Sequence, residues 1–138
     1  MFISGFTFVR NAIKLDYPVV EAIKSILPIC NEVVVAVGNS EDDTRELILS
    51  INDPKIRIID TIWDDSLREG GRVLAVETDK AYRAINSQAN WAFYIQADEI
   101  LHEKYYEEVI NKMHYYQNRE DIDGLLFGYK HFYGNYDY

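Results

Sequence analysis

The sequence predicts an α/β domain built on an open, mostly parallel sheet with helices on both faces. Three observations carry that expectation. Short runs rich in β-branched and aromatic residues recur along the chain, and stretches with helically spaced apolar residues alternate with them. Several of the runs are also apolar at successive positions, as when a strand is covered on both faces. Such alternation implies right-handed βαβ crossovers.

The first strand is expected at "FISGFTFV" (2–9). A helix over 17–27 follows, with Val19, Val20, Ile23, Ile26 and Leu27 on one face, Asp16 as N-cap and Pro28 as terminator. "EVVVAV" (32–37) is the second strand. The next helix is expected to open at Ser40, with Asp43 three residues on as an approximate capping box, and to bury Leu47, Ile48 and Ile51. "KIRIID" (55–60) is the third strand. Val73, Val76, Ala81, Ala84 and Ile85 mark a third helix within 72–87, and "WAFYIQ" (91–96) is the fourth strand. Tyr106, Val109, Ile110 and Met113 mark a fourth helix, and "GLLFGY" (124–129) reads as a fifth strand. The longest irregular piece, "DTIWDDSLREGGR" (60–72), carries a double glycine that permits a tight turn.

With 138 residues, 48% of them apolar, the chain suits one domain, 1–138, with a substantial core. The formal net charge of −9 disfavours nucleic acid and anionic membrane surfaces as partners. No run approaches the roughly 20 apolar residues of a transmembrane segment, and Met1-Phe2-Ile3 lacks the basic start of a secretory leader. A cytoplasmic location is the expectation. The single Cys30 has no internal disulfide partner and reads as a small buried apolar residue.

Parallel strands would open their carboxyl ends on one edge, where α/β sheets bind ligands. Four polar clusters then converge there: Thr7 to Asn11, Gly38 to Thr44, Asp60 to Arg72, and Gln96 to Glu99. Neither Gly-x-Gly-x-x-Gly nor Gly-x-x-x-x-Gly-Lys-Ser/Thr occurs, which argues against the usual dinucleotide site and against P-loop hydrolysis. A diphosphate held here would need a divalent cation instead. Mg²⁺ often takes only one or two carboxylates and leaves its other positions to phosphate and water, a demand that Asp98 and Glu99 suit.

"SGFTFVRN", then "EVVVAVGNSEDDT", then "WAFYIQADE", in that order over roughly 2–130, resembles the nucleotide-binding half of a family-2 glycosyltransferase with the GT-A (Rossmann-like) fold. That family reads "VxxRNE", "DxGSxDxT" and a strand ending in "DADE" or "DADD". The resemblance implies that Asp98 is the last aspartate of the metal-binding DxD element, that Glu99 is a second ligand for Mg²⁺ or Mn²⁺, and that Gln96 stands at the first acidic position. An amide there hydrogen-bonds a ribose hydroxyl without adding charge. Val37-Gly38 replace the family's base-contacting aspartate, with Asn39 and Ser40 following; Thr7, Arg10 and Asn11 match the first nucleotide-facing loop, and Arg72 falls near the polar contacts to nucleotide or phosphate.

The implied reaction moves a sugar, with inversion, from a nucleotide-diphosphate donor of UDP or GDP type to an acceptor hydroxyl, a glycan being one candidate acceptor. No residue matches the general base, which in the family lies in the acceptor half, expected here after 138. Two other readings are a non-catalytic nucleotide-sugar-binding or assembly module on the same fold, and a nucleotidyltransferase, which lacks its basic phosphate loop. Blander roles compete residue by residue. Asp98 and Glu99 would stabilise the start of a following helix; Ser40, Asp42 and Asp43 would cap one; the aromatic tail "YKHFYGNYDY" would cover the end of the sheet. His102, His114 and His131 show no metal-ligand spacing.

Overall fold

A computed structural model describes residues 1–67 and 71–128. The strands are β1 (Ile3–Val9), β2 (Glu32–Gly38), β3 (Ile56–Thr61) and β4 (Trp91–Tyr94); the helices are α1 (Val19–Ile26), α2 (Thr44–Leu49), α3 (Arg72–Arg83) and α4 (Tyr106–Tyr116). All the strands pair parallel, in the order β3-β2-β1-β4. The α/β class and the open parallel sheet are as the sequence predicts.

Central position explains the composition of β2. Val33, Val34, Val35 and Ala36 are all inaccessible to solvent, because helices cover both sheet faces. Odd-numbered residues of β1 and β2 share a core with Ile23 and Ile26 of α1, Ile48 of α2, and Val109 and Met113 of α4. Phe6, Val34 and Ala36 meet Ala81 of α3 on the opposite face. Helices of the first two crossovers thus lie on one side and that of the third on the other. Right-handed crossovers produce this arrangement when the chain reverses its direction of travel across the sheet.

Gly5 sets how closely α1 approaches. A Cβ at this position would lie 2.8 Å from Ile26 Cδ1 and 3.1 Å from Cys30 Sγ. Further along, Tyr106 Oη donates to Ser25 O (2.5 Å), Leu101 N to Ser25 Oγ (3.1 Å), and Trp91 Nε1 to Met113 O (3.1 Å), tying α4 to α1 and β4. At the amino-terminal end of the sheet, Glu32 accepts from Ser4 Oγ, Asn86 N and Arg57. Among the described residues no helix is long and apolar enough to cross a membrane.

Several boundaries differ from expectation. Asp16 does not cap α1; it has φ 56°, inside a turn in which Tyr17 N donates to Ala12 O, and Pro18 occupies the N-cap position. Pro28 ends α1 and sits in the first turn of a 3₁₀ segment, Leu27–Ile29. Helix α2 opens at Thr44 rather than Ser40, and α3 ends at Arg83, after which Ala84 and Ile85 close i→i−3 turns. Residues 124–128 form no strand, although Phe127 packs on Phe93 with ring centroids 5.4 Å apart; Tyr129 and the aromatic tail lie outside the described residues.

Candidate functional site

The chain runs from β1 through β2 to β3 in one direction, then returns past β1 to form β4. The switch point therefore lies between β1 and β4, and the segments leaving all four strands emerge on its edge.

Two of these segments are sewn together. Ser40 Oγ accepts from Asn11 N (3.0 Å) and donates to Gly38 O (3.0 Å), while Asn11 Oδ1 accepts from Glu41 N (2.7 Å). Thr44 Oγ1 accepts from Ala12 N (2.8 Å) and donates to Asp42, whose other oxygen accepts from Lys14 N (2.8 Å). This stitching explains the late start of α2, since Ser40 and Asp42 spend their hydrogen bonds on the neighbouring loop. Asn11 takes a left-handed conformation, φ 54°, to enter the lattice. Burial pushes the Asp42 carboxyl up, but hydrogen bonds from Thr44, Lys14 and Ile13 outweigh it and hold its pKa below the usual range.

Arg10 reaches across to β2 and β3. Its Nε donates to Asn39 O (2.8 Å), its Nη1 pairs with Asp65 (3.1 Å), and its guanidinium lies 5.4 Å from the Trp63 ring centre. Trp63 N in turn donates to Asn39 Oδ1 (3.0 Å). The Trp63 indole rests on Gly38, where a Cβ would meet Nε1 at 2.3 Å, so the glycine is needed for the aromatic ring to close over the end of β2. Trp63 Nε1 is buried without a hydrogen-bond partner among the described residues.

Gln96 to Glu99 form a turn directly after β4. Glu99 N donates to Gln96 O (3.0 Å), and Glu99 Oε1 accepts from Gln96 N (2.9 Å). One Glu99 oxygen is thus committed to the turn, and Asp98 is exposed at its tip. The first helical turn after them begins only at Glu103, where His102 Nδ1 accepts from Lys104 N, so Asp98 and Glu99 do not cap that helix. Among the described residues no three His, Cys, Asp or Glu side chains gather to hold a metal. The turn fits a cation only if phosphate and water complete its coordination, as hard cations permit.

The remaining expected residues divide. Arg72 is exposed in the first turn of α3. Thr7 lies inside β1 at 0% exposure, short of the edge, and its hydroxyl has no partner among the described residues. Val37, Gly38, Asn39, Ser40, Glu46 and Asp60 help to line an open cleft of about 340 Å³ at the ends of β2 and β3. A larger groove, about 630 Å³, runs beside α4, away from this edge.

Sequence reasoning missed the roles of Trp63 and Asp65 and the ion pair of the buried Glu77 with Lys80. Glu77, at 0% exposure, accepts from Thr61 Oγ1 (2.5 Å) and Lys80 Nζ (2.6 Å), fixing α3 to the end of β3. Its place between Val73 and Ala81 on the apolar stripe of α3 was the available signal. Nothing in the sequence foretold that Trp63 would fold back onto Gly38.

No protein-family model and no curated relative matches the chain. Solved structures do match. A structure of S. aureus TarS 1–349 superposes with a TM-score of 0.63 at 14% identity, and its complex with UDP with 0.62 at 15%. In both, 84% of this chain is covered and 33% of theirs, so the chain spans about a third of their length. The chain shares its fold with these TarS structures. At this identity the likeness establishes architecture alone.

Proposed function

We propose that the chain is the donor-nucleotide-binding region of a family-2 type, inverting, metal-assisted glycosyltransferase. The observation that carries the proposal is the convergence of the Arg10, Asn39 and Gln96 segments at the switch point of a fold shared with a UDP-bound structure. The cleft at the ends of β2 and β3 receives base and ribose, Gln96 meets a ribose hydroxyl, and Arg72 faces phosphate. Arg10, already held by Asn39 and Asp65, shapes the wall between them. Asp98 and the second carboxylate oxygen of Glu99 would hold Mg²⁺ or Mn²⁺ alongside the donor's diphosphate. Bound there, the cation supplies Lewis-acid stabilisation of the departing diphosphate. The acceptor hydroxyl's proton goes to a general base that we assign to no residue of this chain.

Calorimetry with UDP and GDP, with and without Mn²⁺, tests the reading; metal-dependent binding is expected, and its absence for both nucleotides would overturn it. Asp98→Ala should remove the metal dependence while leaving the melting temperature unchanged. A second reading, a binding module without turnover, is favoured by Gln96 at the first acidic position and by the turned-back Glu99. Donor binding with no sugar release or transfer by the protein would select it.

A further inference from the structure

Asn39 is held at two points. Its backbone oxygen accepts from Arg10 Nε at 2.8 Å, and its side chain meets Trp63 N at 3.0 Å. A backbone N–H only donates, so the side-chain atom facing Trp63 has to be the carbonyl oxygen. That contact fixes which way round the amide sits. Its other branch, Nδ2 with two N–H groups, donates to no acceptor among the described residues, and Asn39 is exposed where it lines the cleft.

The cleft's remaining chemistry decides which end of a nucleotide enters. Its floor is the buried Val37-Gly38 backbone, and its walls include Asp60, neutralised by Arg45 Nε at 2.9 Å, and the Glu46 carboxylate, which remains to accept from ring N–H or hydroxyl groups. A volume of about 340 Å³ accommodates a base and part of a ribose, not a whole diphospho-sugar.

We propose that Asn39 is the base-reading residue of this site, and that its enforced orientation selects bases with a keto oxygen on the edge remote from the ribose. The inference rests on the donor-site reading above. Uracil and guanine place a C=O against Nδ2–H, with an adjacent ring N–H to offer an acidic wall. Cytosine and adenine place an amino group there, setting donor against donor.

The test is the set of dissociation constants for UDP, GDP, CDP and ADP, measured with Mn²⁺ by calorimetry on the wild-type chain and on Asn39→Asp. The wild-type protein should prefer UDP and GDP by about tenfold or more. Asn39→Asp keeps an oxygen for Trp63 N–H but turns the outward branch into an acceptor, so UDP should weaken and CDP strengthen. Equal binding of all four nucleotides overturns this inference and leaves the donor-site reading standing; so do nucleotide ratios that Asn39→Asp leaves unchanged. Binding of none overturns the donor-site reading itself. Should Asn39→Asp fail to fold, the wild-type preference decides alone.

Discussion

Gly38 shows how a single missing side chain organises this edge of the molecule. The Trp63 indole fills the space that a Cβ would take, and through its backbone N–H the same residue orients Asn39. Gly38→Ala should expel the ring and cost about 1–3 kcal/mol, the usual range for overpacking. A red-shifted tryptophan emission and a lowered melting temperature are the expected readouts; a spectrum and melt identical to wild type would refute the packing argument. Cys30 makes a complementary case. Burial pushes its thiol up to about 12. A disulfide reagent at pH 8 should therefore leave the native thiol unmodified and label it only in denaturant.

At the scale of elements, the end of the sheet opposite the site has a testable electrostatic anchor. Burial pushes the Glu32 carboxyl up, but hydrogen bonds from Ser4, Asn86 and Arg57 prevail and hold its pKa below 4.5. A depressed folded-state pKa contributes stability above the unfolded value and loses it as pH falls through the folded one. The stability gap between wild type and Glu32→Gln, followed by urea denaturation, should thus be full at pH 7 and narrow below about pH 4.5. A gap independent of pH would remove Glu32 from the anchor. The four strands and four helices were legible because their apolar spacing follows from burial, which sequence records directly. Helix starts were less so. Ser40 and Asp42 look like caps, yet their oxygens serve the 11–14 loop, a partner some thirty residues away that no local pattern reveals. "GLLFGY" has strand composition, but a strand needs a ladder partner, and β4 pairs only with β1 among the described residues. Asp98 and Glu99 could be placed after a strand from sequence; that Glu99 bends back to Gln96 could not.

Across the whole molecule, two conditions meet at the site: a core that fixes the sheet and a strongly negative charge. Ile23, fully buried in α1, anchors that core, and Ile23→Ala should cost about 2–5 kcal/mol in a two-state urea melt. A cost under 1 kcal/mol, as at an exposed position, would mean that α1 does not pack as described. The net charge of −9 opposes capture of the anionic donor proposed above. Without divalent metal, the association constant for UDP should rise as salt screens that repulsion. A fall with salt would instead point to a dominant cationic patch.

The sewn loops of residues 11–14 and 39–44 carry a kinetic consequence. One wall of the cleft is assembled before any ligand arrives, so little ordering of this wall accompanies capture, and complex formation there need not wait for a slow rearrangement. Cutting a stitch, as Thr44→Val would, should slow association more than it hastens release.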